Sequence, residues 1–133
     1  MAVKFKTLAS GRLGETGATG NPCPTNQFYG LYSVPQGKSA IVVAMRFVNT
    51  HTSPVPMSMT LNHANDPVPM PLVSPIFPAN TIIGVGGMLL EDEELTLEAG
   101  DTLCAKVGKD GDASNATYAD KIDFVISGIE MDI

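Results

Sequence analysis

The stretch that decides the fold is MLLEDEELTLEAGDTLCAKV, which spans residues 88–107. In it Leu95 and Leu97 alternate with polar residues, and this period-two pattern is typical of a half-buried β-strand. Residues 98–101 (EAGD) interrupt the alternation, and their glycine allows a tight turn. The alternation resumes over residues 102–107, so the stretch predicts a β-hairpin. A hairpin alone cannot bury its apolar face, and a facing sheet is therefore expected.

Strands of the same kind are predicted along the rest of the chain, where alternating segments are separated by turn residues. They cover residues 2–8, 26–34, 39–50, 55–62, 80–85 and 121–131. The segment 39–50 is apolar on both faces, which predicts a central strand. Its first face is expected to carry Ile41, Val43, Met45 and Phe47. No amphipathic helix is evident, so we predict an all-β chain: a two-sheet antiparallel β-sandwich of jelly-roll type, with an immunoglobulin-like sandwich as the alternative.

The length of 133 residues predicts one domain over residues 1–133. Two segments rich in glycine and proline interrupt it, an arm or loop at 9–25 and a proline-rich loop at 66–78. Loops of this length are usually functional or flexible, and we expect these two to contact partner proteins. The candidate contact residues within them are Arg12, Asn21, Pro22, Pro67, Pro69, Pro71, Pro75 and Pro78.

The charge balance excludes several classes of partner. The formal net charge is −6 and the isoelectric point is about 4.6, and the eight basic residues are scattered along the chain. Such a chain has no basic surface for nucleic acid and is repelled by anionic lipid surfaces. No apolar run is long enough to span a membrane. We therefore expect neither nucleic-acid nor membrane partners.

The cysteines and the amino-terminal segment bear on the compartment. The segment MAVKFKTLAS has no long apolar region, so we do not expect a signal peptide and predict synthesis in a cytoplasm. The spacing of Cys23 and Cys104 gives no argument for a disulfide. In a reducing compartment two free thiols are the expectation, with Cys104 at least partly buried.

No group of residues predicts catalysis or a cofactor. His51 and His63 flank one predicted strand, so they are expected to lie apart and to leave no transition-metal site. The segment 110–120 has alternating oxygen donors that superficially suit calcium, but its glycine is misplaced for an EF-hand and the closing glutamate is missing. The acidic run 91–94 predicts a solvated strand edge or a contact with a basic partner surface. No nucleophile is framed by a base and an acid, so we expect a non-enzymatic protein without a cofactor.

Three motifs resemble a known family. The chain carries an L-Y-x-V-P-x-G-K-x-A entry with a following V-N-T, an L-x-L-x-A-G-D-x-L segment, and a closing S-G-I-E. The matching residues are Leu31, Tyr32, Val34, Pro35, Gly37, Lys38 and Ala40, then Val48, Asn49 and Thr50, then Leu95, Leu97, Ala99, Gly100, Asp101 and Leu103, and finally Ser127, Gly128, Ile129 and Glu130. Together they resemble the small β-sandwich structural proteins of tailed bacteriophages. The segments 11–25 and 66–78 depart from that pattern.

The resemblance implies a virion structural protein. The expected function is capsid decoration or cementing, in which the chain binds and stabilises the lattice of the major capsid protein as a homo-oligomer, such as a trimer, on the capsid surface. The alternatives are a tail, baseplate or fibre component that binds a tail protein, and a carbohydrate-binding β-sandwich module. The last of these needs an exposed aromatic platform, which the aromatic content of 6% disfavours.

Overall fold

The described part of the chain consists of β-strands joined by turns. The structure is a computed structural model, and it describes residues 5–13, 29–63, 73–78, 81–108 and 121–133. The strands in these residues are β1 (Lys6–Arg12), β2 (Tyr29–Ser33), β3 (Lys38–Asn49), β4 (Val55–Asn62), β5 (Val73–Pro75), β6 (Thr81–Ile83), β7 (Met88–Glu91), β8 (Leu95–Leu97), β9 (Thr102–Val107) and β10 (Ile122–Asp132).

Two antiparallel sheets pack face to face, which confirms the predicted β-sandwich. The first sheet has the order β1-β10-β3-β7, with β8 also paired to β3, and the second has the order β2-β9-β4-β5, with β6 also paired to β4. If each pair of short edge strands is taken as one interrupted strand, the two sheets have the strand orders of an eight-stranded jelly roll. Successive strands then alternate between the sheets, except that β4 and the β5/β6 strand are neighbours in the second sheet. The space between the sheets is filled by apolar side chains, among them Val42, Met45, Phe47, Val55, Met57, Met59, Leu97, Leu103, Ile122 and Ile126.

The predicted hairpin at residues 95–107 is wrong, because its two strands belong to different sheets. β8 pairs with β3 in the first sheet, and β9 pairs with β2 and β4 in the second. The turn between them is as predicted: Gly100 has a φ of 85°, which the third position of a type II turn requires. The Asp101 carboxylate accepts a hydrogen bond from the Glu98 backbone N–H at 2.9 Å and closes the turn. The same turn therefore carries the chain across the core.

Alternation along β3 is broken by one extra residue. Ala44 pairs with Ser127 and Val42 pairs with Gly128, so Val43 has no partner on β10 and forms a β-bulge. The buried residues are consequently Ala40 and Val42 before the bulge and Met45, Phe47 and Asn49 after it. The predicted grouping of Ile41 and Val43 with Met45 and Phe47 on one face is wrong for this reason.

Both predicted glycine- and proline-rich segments begin or end inside the sandwich. β1 continues to Arg12, so the first residues of the segment 9–25 are strand, and residues 14–28 lie outside the described part. The segment 66–78 contains β5, and after it Phe77 packs edge-to-face on Phe47 with ring centroids 6.2 Å apart. The end of the proline-rich segment is thus part of the core.

Candidate functional site

The outer faces of the two sheets differ in their exposure to solvent. On the second sheet the outward side chains of β9, those of Thr102, Cys104 and Lys106, are at most 4% exposed, and Ser58 beside them on β4 is equally buried. Burial lowers the pKa of Lys106, because removal from water disfavours the ammonium ion. Solvent is therefore excluded from the middle of this face.

The outer face of the first sheet is open and largely apolar. We call the open face the outward residues of β3, β7 and β10, namely Ile41, Ala44, Arg46, Val48, Met88, Leu90, Asp123, Val125, Ser127 and Ile129; Asp123 among them forms an ion pair with Arg12. Met88 and Leu90 are 57% and 53% exposed, although apolar side chains gain by leaving water. A depression of about 190 Å³ lies at the centre, lined by Ala44, Arg46, Leu90, Val125 and Ser127.

Arg46 lies in the middle of the open face. Its cross-strand neighbours are Val125 on β10 and Leu90 on β7, so its exposed guanidinium group is flanked by apolar side chains on both sides. It forms no ion pair with any residue that the structure describes. Arg12, near one edge of the same sheet, does have such a partner, since its Nε lies 3.1 Å from Oδ1 of Asp123.

Glu130 joins the two sheets at one end of the sandwich. Its Oε2 accepts a hydrogen bond from the hydroxyl of Tyr32 in the second sheet, with the two oxygens 2.6 Å apart. Its Oε1 forms an ion pair with Nζ of Lys6 on β1 at 2.5 Å. The hydrogen bond from Lys6 has the larger effect and that from Tyr32 the next, and together they hold the pKa of Glu130 below its usual range. Burial acts in the opposite direction and raises this pKa. Burial and the adjacent carboxylate raise the pKa of Tyr32. A carboxylate held ionised by two donors is suited to structural support rather than to proton transfer.

The acidic run borders a second depression, between the sheets at the β7 and β8 edge. Its volume is about 170 Å³, and its floor is apolar. The lining residues are Met45, Ile76, Glu91, Glu93, Glu94 and Leu95. Asp92, Glu93 and Glu94 are exposed, as the prediction of a solvated edge requires. No basic side chain of the described residues forms an ion pair with this run.

The histidines lie at opposite ends of β4, as predicted from their positions. His51 is in the turn before β4, and its backbone N–H donates to Oδ1 of Asn49 at 2.7 Å. His63 follows β4, with Nδ1 3.9 Å from Oδ2 of Asp101. Within the described ranges, no three His, Cys, Asp or Glu residues are arranged to hold a metal ion. The predicted calcium-like segment 110–120 lies outside the described residues.

The predicted contact residues are only partly within the described structure. Arg12 is at the end of β1 and Pro75 is at the end of β5. Pro78 is exposed, and its carbonyl accepts a hydrogen bond from the Thr81 hydroxyl at 2.5 Å. Asn21, Pro22, Pro67, Pro69 and Pro71 lie outside the described residues. The open face was not among the predicted contacts, although a single arginine inside an otherwise apolar strand was the available signal.

The prediction of two free thiols is wrong, because Cys104 is disulfide-bonded. Its Sγ lies on the covered outer face of the second sheet, and Nδ2 of Asn62 approaches it to 3.1 Å. The chain's other cysteine, Cys23, lies outside the described residues. Sequence spacing carries no information about such a bond, because pairing depends on which strands become neighbours in space.

The exposure of the aromatic side chains bears on the carbohydrate-binding alternative. Among the aromatic side chains that the structure describes, Phe5 is 68% exposed whereas Tyr32, Phe47, Phe77 and Phe124 are buried. The described residues therefore present no row of exposed rings on which a sugar could stack. A search of the described residues for a helix able to span a membrane finds none.

Comparison with known proteins gives few matches. No protein-family model matches the chain. No curated protein matches it. Among solved structures, a chain from the infectious bursal disease virus Gt strain is similar over 98% of this chain and 33% of its own length, with 11% identity and a TM-score of 0.42. A chain from the Gx strain of that virus is similar over 97% of this chain and 39% of its own length, with 11% identity and a TM-score of 0.36. The chain thus spans less than two-fifths of either.

Proposed function

We propose that this chain is a non-enzymatic structural protein of a virion. In this proposal it is a decoration or cement protein on the capsid surface, where it binds and stabilises the lattice of the major capsid protein as a homo-oligomer. The work of such a protein is adhesion. It requires a rigid framework and a surface that gains by being covered, and it requires no reacting group.

The observation that carries the proposal is the open face of the first sheet. A sheet face with exposed Leu90 and Met88 and half-buried Val125 loses contact with water when a partner covers it. The gain is roughly 25 cal/mol for each Å² of apolar surface removed from water. Because these side chains project from paired strands, the backbone that carries them is already ordered before binding. The loss of conformational entropy on binding is therefore small.

The family resemblance supports the same function through the fold. Its motif residues include Val34 and Leu103, which are buried, and Gly37 and Gly100, which have φ values of 82° and 85°. These residues make turns and core, so the resemblance supports a shared sandwich.

The segments rich in glycine and proline are proposed as additional contacts with the lattice. Since residues 9–12 belong to β1 and residues 73–78 include β5 and Phe77, the segments to remove are 14–22, which leaves Cys23 in place, and 66–72. We expect either deletion to abolish binding to capsids that lack the protein, while the variant still unfolds cooperatively. Normal capsid binding by both deletion variants would contradict a contact role for these segments.

The copy number of the chain in purified particles tests its position in the virion. Quantitative mass spectrometry against the major capsid protein measures it directly. A number equal to that of the capsid protein, or a simple fraction of it, is expected for a cement protein. A far smaller number, with density confined to the tail in electron microscopy, would assign the chain to the tail, baseplate or fibre. Absence from purified particles would contradict a virion role altogether.

A further inference from the structure

We propose that the open face is a self-association surface, on which two copies of this chain pack first sheet against first sheet about a two-fold axis. In this dimer Arg46 of each copy pairs with Asp92 of the other. The inference rests on the proposed function, which uses the same face, and deepens it by identifying a second copy of the chain as the partner that covers the open face.

The first argument is the environment of Arg46. The guanidinium group is exposed, is flanked by Val125 and Leu90, and forms no ion pair with a described residue. An arginine at the centre of an apolar patch is the arrangement found at the energetically dominant points of protein interfaces. The structure therefore points to a partner that brings a carboxylate and apolar side chains to this position.

The second argument is that the same chain carries such a carboxylate beside the same face. Glu91 pairs with Met45, whose side chain faces the core, and both line the depression between the sheets. Asp92 is the first residue after β7, so it lies at the border of the open face where that strand ends. Asp92 is exposed and forms no ion pair with a described residue.

A two-fold axis gives the dimer two copies of the Arg46–Asp92 ion pair. In a symmetric contact, if residue i of one copy meets residue j of the other, then j also meets i. An axis in the plane of the interface, midway between the positions of Arg46 and Asp92, brings each guanidinium group opposite the partner's carboxylate. Leu90 is opposite Arg46 and two residues before Asp92, so it lies close to this axis and packs near its counterpart.

The available area is sufficient for a weak specific dimer. β10 and β3 have 11 and 12 residues, so the face is about 35 Å long and, across three strands, about 15 Å wide. A two-fold contact over this face buries roughly 1,000 Å² in total, at the lower limit for specific association. The outer face of the second sheet offers no equivalent surface, since Thr102, Cys104 and Lys106 are already buried.

Sedimentation equilibrium of the full-length chain over a wide concentration range tests the inference. We expect a reversible monomer–dimer equilibrium for the unmodified chain. Arg46→Glu and Asp92→Arg each place like charges opposite one another, and each should raise the dissociation constant about tenfold or more. The double variant Arg46→Glu/Asp92→Arg restores opposite charges in both pairs and should recover most of the affinity. Lys121→Glu, an equal change in net charge near the end of the sheet, should leave the equilibrium unchanged.

Each variant is first shown to unfold cooperatively, and Arg46→Thr replaces Arg46→Glu if the latter does not fold. The loss of the cation alone should then weaken the dimer. A chain that stays monomeric at the highest concentration overturns the proposal, and protection of the open face only on particles would assign it to a capsid partner. A dimer that is insensitive to both single variants, or one that the double variant fails to restore, also overturns it.

Discussion

Gly128 lies so close to Ile41 that a Cβ atom on Gly128 would overlap the carbonyl oxygen of Ile41. The same Cβ atom would lie 2.9 Å from Cδ1 of Leu8. Both neighbouring strands bulge at this level of β10, since Leu8 on β1 and Val43 on β3 have no partner in the β10 register. Gly128 is thus the position on β10 beside which both neighbouring strands, β1 and β3, form a bulge.

Gly128→Ala should destabilise the chain strongly. The added methyl group meets backbone on one side, which cannot move aside without breaking the pairing of β10 with β3, so we expect a loss of about 2–4 kcal/mol. Gly84→Ala is the matched control, because a Cβ atom there meets nothing within 4 Å. Denaturant unfolding of both variants measures the difference. Equal stabilities would show that β10 does not need glycine at this position.

Asn49→Ala should be costly because one buried side chain holds three segments together. Nδ2 of Asn49 donates to the carbonyl oxygens of Ser53, Ile83 and Gly84 at 2.9–3.1 Å, and Oδ1 accepts from the His51 backbone N–H. Asn49 is 3% exposed, so truncation leaves buried carbonyl groups without a donor and should cost about 2–4 kcal/mol. The neighbouring Thr50→Ala, at an exposed site, serves as the control in the same thermal denaturation and should cost less.

Glu130 should give the chain an acid-sensitive component of stability. Its pKa is below its usual range in the folded protein, so its contribution is complete above the unfolded-state value of about 4.3 and is lost as the pH falls through the lower folded-state value. We expect Glu130→Gln to be less stable at neutral pH by about 1–2 kcal/mol, with the gap to the unmodified chain closing at low pH. Unfolding free energies measured across the acid range give this comparison.

Tyr32→Phe provides the matched control for that experiment. It removes the hydroxyl donor and keeps the ring in the core, so the carboxylate of Glu130 retains only Lys6. The pKa of Glu130 should rise part of the way toward its usual value, and the acid-sensitive component should shrink without vanishing. A gap between Glu130→Gln and the unmodified chain that is constant over the acid range would contradict an ionised Glu130 in this role.

Reduction should lower the stability of the chain through Cys104. A disulfide that closes a loop of tens of residues restricts the unfolded chain and stabilises by about 3–4 kcal/mol. We expect no free thiol in the denatured, unreduced protein and a lower melting temperature after reduction. Cys104→Ser should melt at the same temperature with and without reductant. Two titratable thiols in the freshly denatured, unreduced chain would contradict the bond.

The sequence predicted strands well and strand partners poorly. The segments 39–50, 55–62 and 121–131 correspond closely to β3, β4 and β10, because alternation of apolar and polar residues follows directly from the geometry of a strand. The segment 95–107 was assigned to one sheet because a four-residue turn usually joins paired neighbours. Here the same turn joins opposite sheets, a choice made by contacts of β9 with β2 and β4 that no local pattern encodes.

The features that matter for binding were harder to predict for the same reason. A bulge at Val43 exchanges the two faces of β3 partway along its length, so counting residues across it put Ile41 on the face of Met45, whereas Ile41 belongs to the open face. Burial of Lys106 and the bond at Cys104 depend on what covers the second sheet, which is a property of the whole chain. The acidic run, in contrast, was correctly predicted to be exposed, since crowded carboxylates remain hydrated wherever a strand places them.

The interrupted strands at one side of each sheet limit aggregation through exposed sheet edges. β5, β6 and β8 have three residues each and β7 has four, and at the opposite side of the first sheet β1 begins with Lys6 and ends with Arg12. Such short or charged borders give a misfolded neighbour too little backbone to template fibril growth. A chain with these borders is therefore expected to resist edge-to-edge aggregation at high protein concentration.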